Sequence, residues 1–380
     1  MGPPVKEWQY TGLPSGDKER ADDLEFDLFY ELAMPPGLAR SEARMYADTL
    51  AEIELADRLG YGAAWLVEHH FMRGYSHSTK PELFLAAAAA RTQRIRLGLG
   101  IVPLPYHHPI HVCERVATLD VLSGGRLELG VGRGFSPAEY AAFGARMEDS
   151  RSLVEEQIAI LRASFDGAPI RHAGRHYRID GVEILPKVLQ RPHPPLWTAA
   201  VSPESFDWAA REGLGVLAGP FKPWFMTEQD IRRFRAAWRH DAAPRIGMTV
   251  GMFCLPNGTR ARRLAAPALS WFYGELLRTT APVLERLYPS YERFHELGRF
   301  RRLIRLGLKP KLLELAGMTV VGSPAECIAR IGRLREAGVT HLLCAVGAGA
   351  LPTDVVRESL ECIAREVMPA FRDQQERGPE

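Results

Sequence analysis

Segments typical of β-strands alternate with segments typical of helices along most of this 380-residue chain. Strands that are separated by helices pair in parallel, and eight such units close into a barrel. The pattern therefore predicts the α/β class and, within it, a (β/α)8 TIM barrel. The eight strand-like segments are Leu24–Ala33, Ala63–His70, Arg96–Leu104, Arg126–Gly132, Leu196–Val201, Gly215–Ala218, Arg245–Leu255 and His341–Val346.

The main alternative is an open, doubly wound parallel sheet that binds a dinucleotide. That fold requires the pattern GxGxxG after an early strand. The nearest match is GVGRGF at Gly130–Phe135, where Phe135 occupies the position of the last glycine, and the chain contains no Walker A loop. The barrel is therefore favoured.

Two stretches interrupt the alternation, and we interpret them as insertions in a single TIM-barrel domain that covers residues 1–380. The first, Asp166–Pro195, is rich in glycine and proline and contains hairpin-like pieces at Arg175–Ile179 and Val182–Leu185. The second, Tyr288–Met318, follows a long helical region and is basic. Because insertions at the C-terminal face of a barrel commonly cover the site, we expect the second insertion to act as a lid.

Charge and composition argue against several classes of protein. The net charge of +2 provides no electrostatic footprint for nucleic acid. The longest strictly apolar run, Leu83–Ala90, is too short to span a bilayer, and Met1–Gly12 lacks the apolar segment of a signal peptide. Five scattered cysteines without a CxxC pair are typical of a reducing compartment. We therefore expect a cytoplasmic protein that binds neither nucleic acid nor a membrane.

Glu68, His69 and His70 follow the apolar run Ala63–Val67. Chemistry in a barrel occurs at the C-terminal ends of the strands, and ionisable groups beside a buried strand are costly without a role. These residues are therefore candidate catalytic groups, with a purely structural hydrogen-bond network as the alternative. Because side chains alternate along a strand, we expect His69 to face the site and His70 to point away from it.

Three further histidines, His107, His108 and His111, follow the third strand-like segment. Together with the earlier pair they could suggest a metal centre, but neither HxH nor HExxH spacing is present. We therefore predict no metal site.

Two segments could bind a phosphate. Gly132 and Arg133 end the fourth strand-like segment, where glycine allows close approach and an arginine fork can hold an anion. Ser202 begins a helix whose third position is Ser205, whereas the similar helix start at Ser323 has Glu326 there and forms a capping box. We therefore expect the earlier helix start to be the more open anion site. A tight turn and ordinary capping are the alternatives.

Three longer stretches carry a resemblance to a known family: LGYGAAWLVEHHF, RIRLGLGIVPLPYHHPIHVCERVATLDVLSGGRLELGVGRGF and PPLWTAAVSPESFDWAA. In combination and in this order they resemble the bacterial luciferase-like flavin-dependent monooxygenases. The resemblance implies a TIM barrel that binds FMN as FMNH2, supplied by a separate NAD(P)H:flavin reductase, and uses O2 to oxidise a small, largely apolar organic substrate. It also implies a homodimer.

The resemblance also assigns roles to individual residues. His69 would be catalytic, with Glu68 beside the flavin, and the Gly100–Ile101 bond would match one that is often cis in this family. The residues implied in cofactor binding are Glu68, Gly100, Ile101, Gly132, Arg133, Arg151, Val201, Ser202 and Ser205.

One position departs from luciferase itself, which has a reactive cysteine where this chain has Gly132. Light emission is therefore not implied. A related branch of the family uses a deazaflavin for hydride transfer without oxygen, and this chemistry is the first alternative. A non-catalytic flavin-binding protein is the second.

Overall fold

Parallel strands form the centre of the computed structural model, which describes residues 24–37, 40–220, 222–287, 310–349 and 351–372. The strands are β1 (Glu25–Tyr30), β2 (Ala63–Leu66), β3 (Arg96–Pro103), β4 (Leu127–Gly132), β5 (Ile170–Ala173), β6 (Arg178–Val182), β7 (Leu196–Ala200), β8 (Gly215–Ala218), β9 (Ile246–Cys254), β10 (Thr319–Gly322) and β11 (His341–Cys344). Eight of them close in the order β1-β2-β3-β4-β7-β8-β9-β11, with β11 pairing back to β1. The predicted eight-stranded barrel is confirmed.

Helices connect the strands and surround the barrel. They are α1 (Glu42–Leu59), α2 (Pro81–Ala89), α3 (Pro109–Leu122), α4 (Pro137–Ala142), α5 (Ser150–Phe165), α6 (Pro203–Glu212), α7 (Trp224–Ala237), α8 (Gly258–Leu287), α9 (Pro310–Leu315), α10 (Pro324–Glu336) and α11 (Thr353–Cys362). Short 3₁₀ and π turns occur at Leu104–Tyr106, Ile363–Val367 and Met368–Ala370. Within the described ranges, no helix is both long enough and apolar enough to cross a membrane.

Strand β10 is an addition to the predicted set. It pairs in parallel with the C-terminal half of β9, from Gly251 to Cys254, whereas β11 pairs with the N-terminal half. Its four residues directly follow the segment that we interpreted as the second insertion. An apolar run of this length is too short to show the periodicity that predicts a strand. Of that insertion, Tyr288–Met318, residues 288–309 lie outside the described residues, so the lid stays a prediction.

The first insertion does contain a hairpin, but its predicted pieces are wrong. The strands β5 and β6 pair antiparallel around a turn at residues 174–177. Glu156 of α5 fixes this turn because its carboxylate accepts hydrogen bonds from the backbone N–H groups of His176 and Tyr177. Gly181, which lies between the two predicted pieces, has φ +70° and forms a bulge inside β6.

Two tryptophans fill the inside of the barrel. Trp65 of β2 and Trp197 of β7 are fully buried and pack edge to face, with ring centroids 5.4 Å apart. Their indole N–H groups donate to buried carboxylates, Trp65 to Asp27 and Trp197 to Glu128. The neighbouring strand β3 accommodates Trp65 through Gly98, because a Cβ at that position would lie 2.2 Å from the indole ring.

This packing predicts the effect of one added methyl group. Gly98→Ala should lower the free energy of unfolding by about 1–3 kcal/mol, the usual cost of overpacking a core. Gly332→Ala, on α10, is the matched control because its Cβ would meet nothing within 4 Å. We expect that control to be neutral or to stabilise by up to about 1 kcal/mol, the helix preference of alanine over glycine. Urea unfolding measures both, and equal midpoints for the two variants would contradict the packing argument.

Candidate active site

A cavity of about 300 Å³ lies where the barrel strands β1–β4 and β7 end. Every residue predicted for the site lines it: Glu68, His69, Gly100, Ile101, Gly132, Arg133, Arg151, Val201, Ser202 and Ser205. These residues come from five separate parts of the chain, so the barrel brings together what the sequence keeps apart.

His69 reaches the cavity from a loop and not from a strand. Strand β2 ends at Leu66, so the predicted strand Ala63–His70 is four residues too long. Although the Val67 N–H still donates to Tyr30 O of β1, the His69 N–H donates to Ser78 O at 2.9 Å and Ser78 Oγ donates to Val67 O at 2.6 Å. These bonds replace those of a strand ladder and fix the position of His69.

The imidazole of His69 lies between two buried carboxylates. Its Nε2 is 3.9 Å from Glu31 Oε2, and its Nδ1 is 3.7 Å from Glu139 Oε1. Burial alone would lower the pKa of His69, but the carboxylates of Glu139, Glu31 and Glu68 outweigh it and raise the pKa above its ordinary value. The ring is therefore favoured as an imidazolium.

Sequence reasoning missed Glu31 and Glu139. Glu31 lies inside the segment assigned to the first strand, although the strand ends one residue earlier, at Tyr30. Glu139 occupies the third position of α4 after Ser136, which has the spacing of a capping box. Its carboxylate accepts instead from the His70 N–H at 2.7 Å and from the Tyr106 hydroxyl at 3.0 Å. The sequence signals that could have identified them are a glutamate at the end of a strand, for Glu31, and a Ser-x-x-Glu pattern at a helix start, for Glu139.

Glu68 belongs to a separate hydrogen-bond cluster. Its Oε1 accepts from His107 Nε2 at 2.7 Å and from His70 Nε2 at 3.1 Å, and Lys80 Nζ is 3.5 Å away. Burial opposes ionisation, but these donors and charges prevail and lower the pKa of Glu68 to about 2. The second oxygen, Oε2, is buried and has no hydrogen-bond partner among the described residues. Glu68 is therefore a carboxylate with one free acceptor.

His70 points away from His69, as expected. Besides bonding to Glu68, its ring packs edge-on against Phe143, with centroids 4.7 Å apart. The ring of His69 packs instead against Phe135 at 5.2 Å. The two adjacent histidines therefore have different surroundings.

Two arginines supply positive charge to the cavity. Arg133 follows β4, and its Nε donates to Ser150 Oγ at 2.9 Å. Arg151 lies in the first turn of α5 and also lines the cavity. In the described ranges of the chain, neither arginine has a carboxylate within 4.0 Å. Their charge is available for an anion.

The expected difference between the two serine-capped helix starts is wrong. Ser205 Oγ accepts from the N–H groups of Val201 and Ser202, both at 3.0 Å, and Ser202 Oγ accepts from the Ser205 N–H. The start of α6 is therefore a capping box, like that of α10. A serine hydroxyl can accept the same backbone hydrogen bonds that a glutamate carboxylate accepts, so the change from glutamate to serine does not leave the helix start open.

Lys222 is a further residue that the sequence did not reveal. It is buried, forms an ion pair with Asp230 and donates from Nζ to Val201 O at 2.7 Å. It thereby holds the turn between β7 and α6 in place.

The Gly100–Ile101 peptide bond is cis, and it borders the cavity. Gly132 lies opposite, where a Cβ would be 3.0 Å from Ile101 Cδ1. The absence of a side chain at Gly132 therefore makes room for Ile101, which in turn forms part of the cavity wall.

The histidines do not form a metal site in the described part of the chain. No group of three or more His, Cys, Asp or Glu side chains there has an arrangement suited to a metal ion. His107 is engaged by Glu68, while His108 and His111 lie together beside a separate surface depression.

The sequence model of the luciferase-like monooxygenases matches residues 27–341. The chain belongs to this family. It is 31% identical to the 4-hydroxyprotoasukamycin monooxygenase of Streptomyces nodosus subsp. asukaensis, over 84% of this chain and 86% of that protein. It is also 31% identical to the oxygenase component of the flavin-dependent trigonelline monooxygenase of Acinetobacter baylyi, over 52% of this chain and 54% of the relative.

Solved structures agree with this assignment. The monooxygenase RslO1 from Streptomyces bottropensis is 28% identical, with a TM-score of 0.76, and the match covers 92% of this chain and all of that one. The coenzyme F420-dependent tetrahydromethanopterin reductase of Methanopyrus kandleri has a TM-score of 0.67 at 20% identity, over 92% of this chain and 100% of the other. The second likeness concerns the fold alone.

The carboxylates around His69 predict its titration. Because the folded pKa is raised, the interaction stabilises the fold fully below about pH 6.5, and this contribution is lost as the pH rises through the folded value. Glu139→Gln should lower the pKa of His69 by removing one carboxylate. An NMR titration of the His69 ring, assigned with His69→Ala, measures the change.

Glu156→Gln is the matched control for this titration. It removes a carboxylate that lies 3.0 Å from His172 and should leave His69 unchanged. A wild-type His69 that titrates at or below about pH 6.5 would contradict the proposed environment.

Proposed function

We propose that this chain is a flavin-dependent monooxygenase that uses reduced FMN and O2 to oxidise a small, largely apolar organic substrate. A separate NAD(P)H:flavin reductase would supply the FMNH2. We further propose that it acts in the cytoplasm as a homodimer. Membership of the luciferase-like family and the similarity to named flavin-dependent monooxygenases support the enzyme class.

One observation carries the proposal: a single cavity joins two unpaired arginines to a histidine held between carboxylates. Arg133 and Arg151, with the hydroxyl group of Ser202, form a donor set suited to a phosphate, whereas the Ser205 hydroxyl already donates to Ser202 O at 2.6 Å. Gly100 and Ile101 line the same cavity. These features fit the phosphate and the ring system of FMN, and the free Glu68 Oε2 supplies an acceptor for a ring N–H group.

When bound, reduced FMN would supply the electrons that activate oxygen. The chain itself would bind and orient that cofactor, exclude water and manage a proton. Apolar side chains from several elements line the cavity and exclude water, among them Phe29, Leu217, Phe272 and Leu276. His69, the one imidazole that lines the cavity in the described ranges, would donate its proton to the reacting oxygen or substrate as a general acid.

The phosphate site gives the first test. Arg133→Ala and Arg151→Ala should each weaken the binding of reduced FMN by about 1.5–3 kcal/mol, the range for a charged hydrogen bond. Anaerobic calorimetric titration measures the affinity. Arg146→Ala is the matched control because Arg146, on the connection between α4 and α5, is 74% exposed and does not line the cavity. Unchanged affinity in both site variants would refute this placement of the phosphate.

The same titration separates the alternatives. Reduced deazaflavin that binds where reduced FMN does not would favour hydride transfer without oxygen. Tight FMN binding without formation of an oxygenated product, in the presence of reductase, NADH, O2 and a panel of candidate substrates, would favour a non-catalytic flavin-binding protein.

His69 and His70 give a matched pair for the chemistry. His69→Ala should slow oxygenation by about 100-fold or more, the scale for the loss of a positioned acid–base group, with little change in FMN affinity. His70→Ala should act mainly on stability because its contacts are with Glu68 and Phe143. Single-turnover mixing of the reduced complex with oxygen and a substrate identified in the panel measures the rate. A wild-type rate for His69→Ala with an inactive His70→Ala would reverse these roles.

A further inference from the structure

Glu31 carries a hydrogen-bond acceptor that no group in the described ranges satisfies. Its Oε1 accepts from the Tyr75 hydroxyl at 3.0 Å, whereas its Oε2 is buried without a partner. The nearest ring nitrogen, His69 Nε2, is 3.9 Å away, which is too far for a hydrogen bond. The side chain is 8% exposed and lines the main cavity. A ligand that brings a donor to this oxygen would remove the cost of leaving it unpaired.

Apolar surface lies directly beside this acceptor. Tyr75, which bonds to Glu31, stacks on Phe272 of α8 with ring centroids 5.9 Å apart and planes at 22°. Phe29 and Phe272 border both the main cavity and a smaller neighbouring one, in each case together with Glu31. An apolar ring placed against these two phenylalanines could therefore present a polar group to Glu31.

The face of α8 that lines the cavity continues this apolar wall. Phe272, Leu276 and Thr280 are spaced four residues apart and all line the cavity. The Thr280 hydroxyl is already used, because it donates to Leu276 O at 2.7 Å. This wall therefore offers apolar contact and little polar recognition.

The distribution of charge selects the kind of polar group. Among the described lining residues, the permanently positive side chains are Arg133 and Arg151, which we assign to the phosphate. On the side of the main cavity the ionisable groups around Glu31 are His69 and Glu139. On the side of the smaller cavity they are Glu52 and Arg40, and Arg40 forms an ion pair with Asp48. With Glu31 and Glu139 on either side of one imidazole, the site favours a hydrogen-bond donor or a cation and disfavours an anion, and a bound cation would oppose the burial that raises the pKa of Glu31.

We propose that Glu31 binds the hydrogen-bond donor group of the substrate, a protonated amine or a hydroxyl, while the apolar body of that substrate packs on Phe29 and Phe272. This inference rests on the proposed function, because it takes the ligand to be the substrate of that reaction. It makes Glu31 a determinant of substrate specificity.

Three probes with the same ring body test it: 2-naphthylmethylamine, 2-naphthol and 2-methoxynaphthalene, the last of which accepts but cannot donate. Calorimetry on the full-length protein, with and without saturating oxidised FMN, measures their affinities. The amine and the naphthol should each bind about tenfold more tightly than the methyl ether, the value of one additional hydrogen bond to a charged group.

Variants of Glu31 then locate the effect. Glu31→Gln keeps the size of the side chain and an acceptor oxygen but removes the charge, so the affinity for the amine should fall below that for the naphthol, which should keep its preference over the methyl ether. Glu31→Ala should bring all three probes to within about twofold of one another, since no acceptor remains. Glu156→Gln is the matched control, because the side chain of Glu156 is also largely buried, at 9% exposed, but lines neither of the two cavities. It should leave the order of affinities unchanged.

Several results would overturn the proposal. These are equal affinities for all three probes in the wild type, failure of all three to bind, or an unchanged order in Glu31→Gln. If Glu31 serves only to keep His69 charged, its substitution should shift the titration of His69 without altering the order of the probes. Failure of FMN to bind would contradict the proposed function while leaving the order of the probes intact, so the two failures are distinguishable.

Discussion

Compensation of buried negative charge is the constraint on which the site depends. The side chains of Glu31, Glu68 and Glu139 are 8%, 1% and 1% exposed, yet all three border the cavity. Burial of an unpaired carboxylate costs several kcal/mol, so each needs donors or cations from other parts of the fold. Glu68 receives them from two histidines and a lysine, and Glu139 from a backbone N–H and a tyrosine hydroxyl.

His69 lies between two of these carboxylates, which raise its pKa and so favour its protonated form. It faces one carboxylate on each ring nitrogen but touches neither at hydrogen-bond distance. An imidazolium in this position neutralises part of the buried charge while its protons remain available to a group entering the cavity. The loop beyond β2, which is held by its bonds to Ser78, places the ring there. His69 would therefore serve both purposes: it balances buried negative charge and it donates a proton.

The barrel and most of the candidate site could be predicted from the sequence because both depend on local patterns. Strand and helix periodicity determined the eight barrel strands, and motif order identified residues that line one cavity. Glu31 and Glu139 could not be found in this way, because their contacts with His69 exist only once distant loops meet. Strand β10 is too short for a periodic signal, and Ser205 takes the capping role usually read from a glutamate. Gly132 makes room for the side chain of Ile101, and a glycine-containing turn pattern in the sequence does not indicate this packing role.

A crystal structure of the protein with FMN is the most direct test of the central claim, that one cavity holds the flavin between the arginines and His69. We predict the phosphate within hydrogen-bond distance of Arg133 and Arg151, with the ring system against Gly100 and Ile101 and beside His69. FMN bound elsewhere on the barrel, with both arginines free of it, would contradict the account.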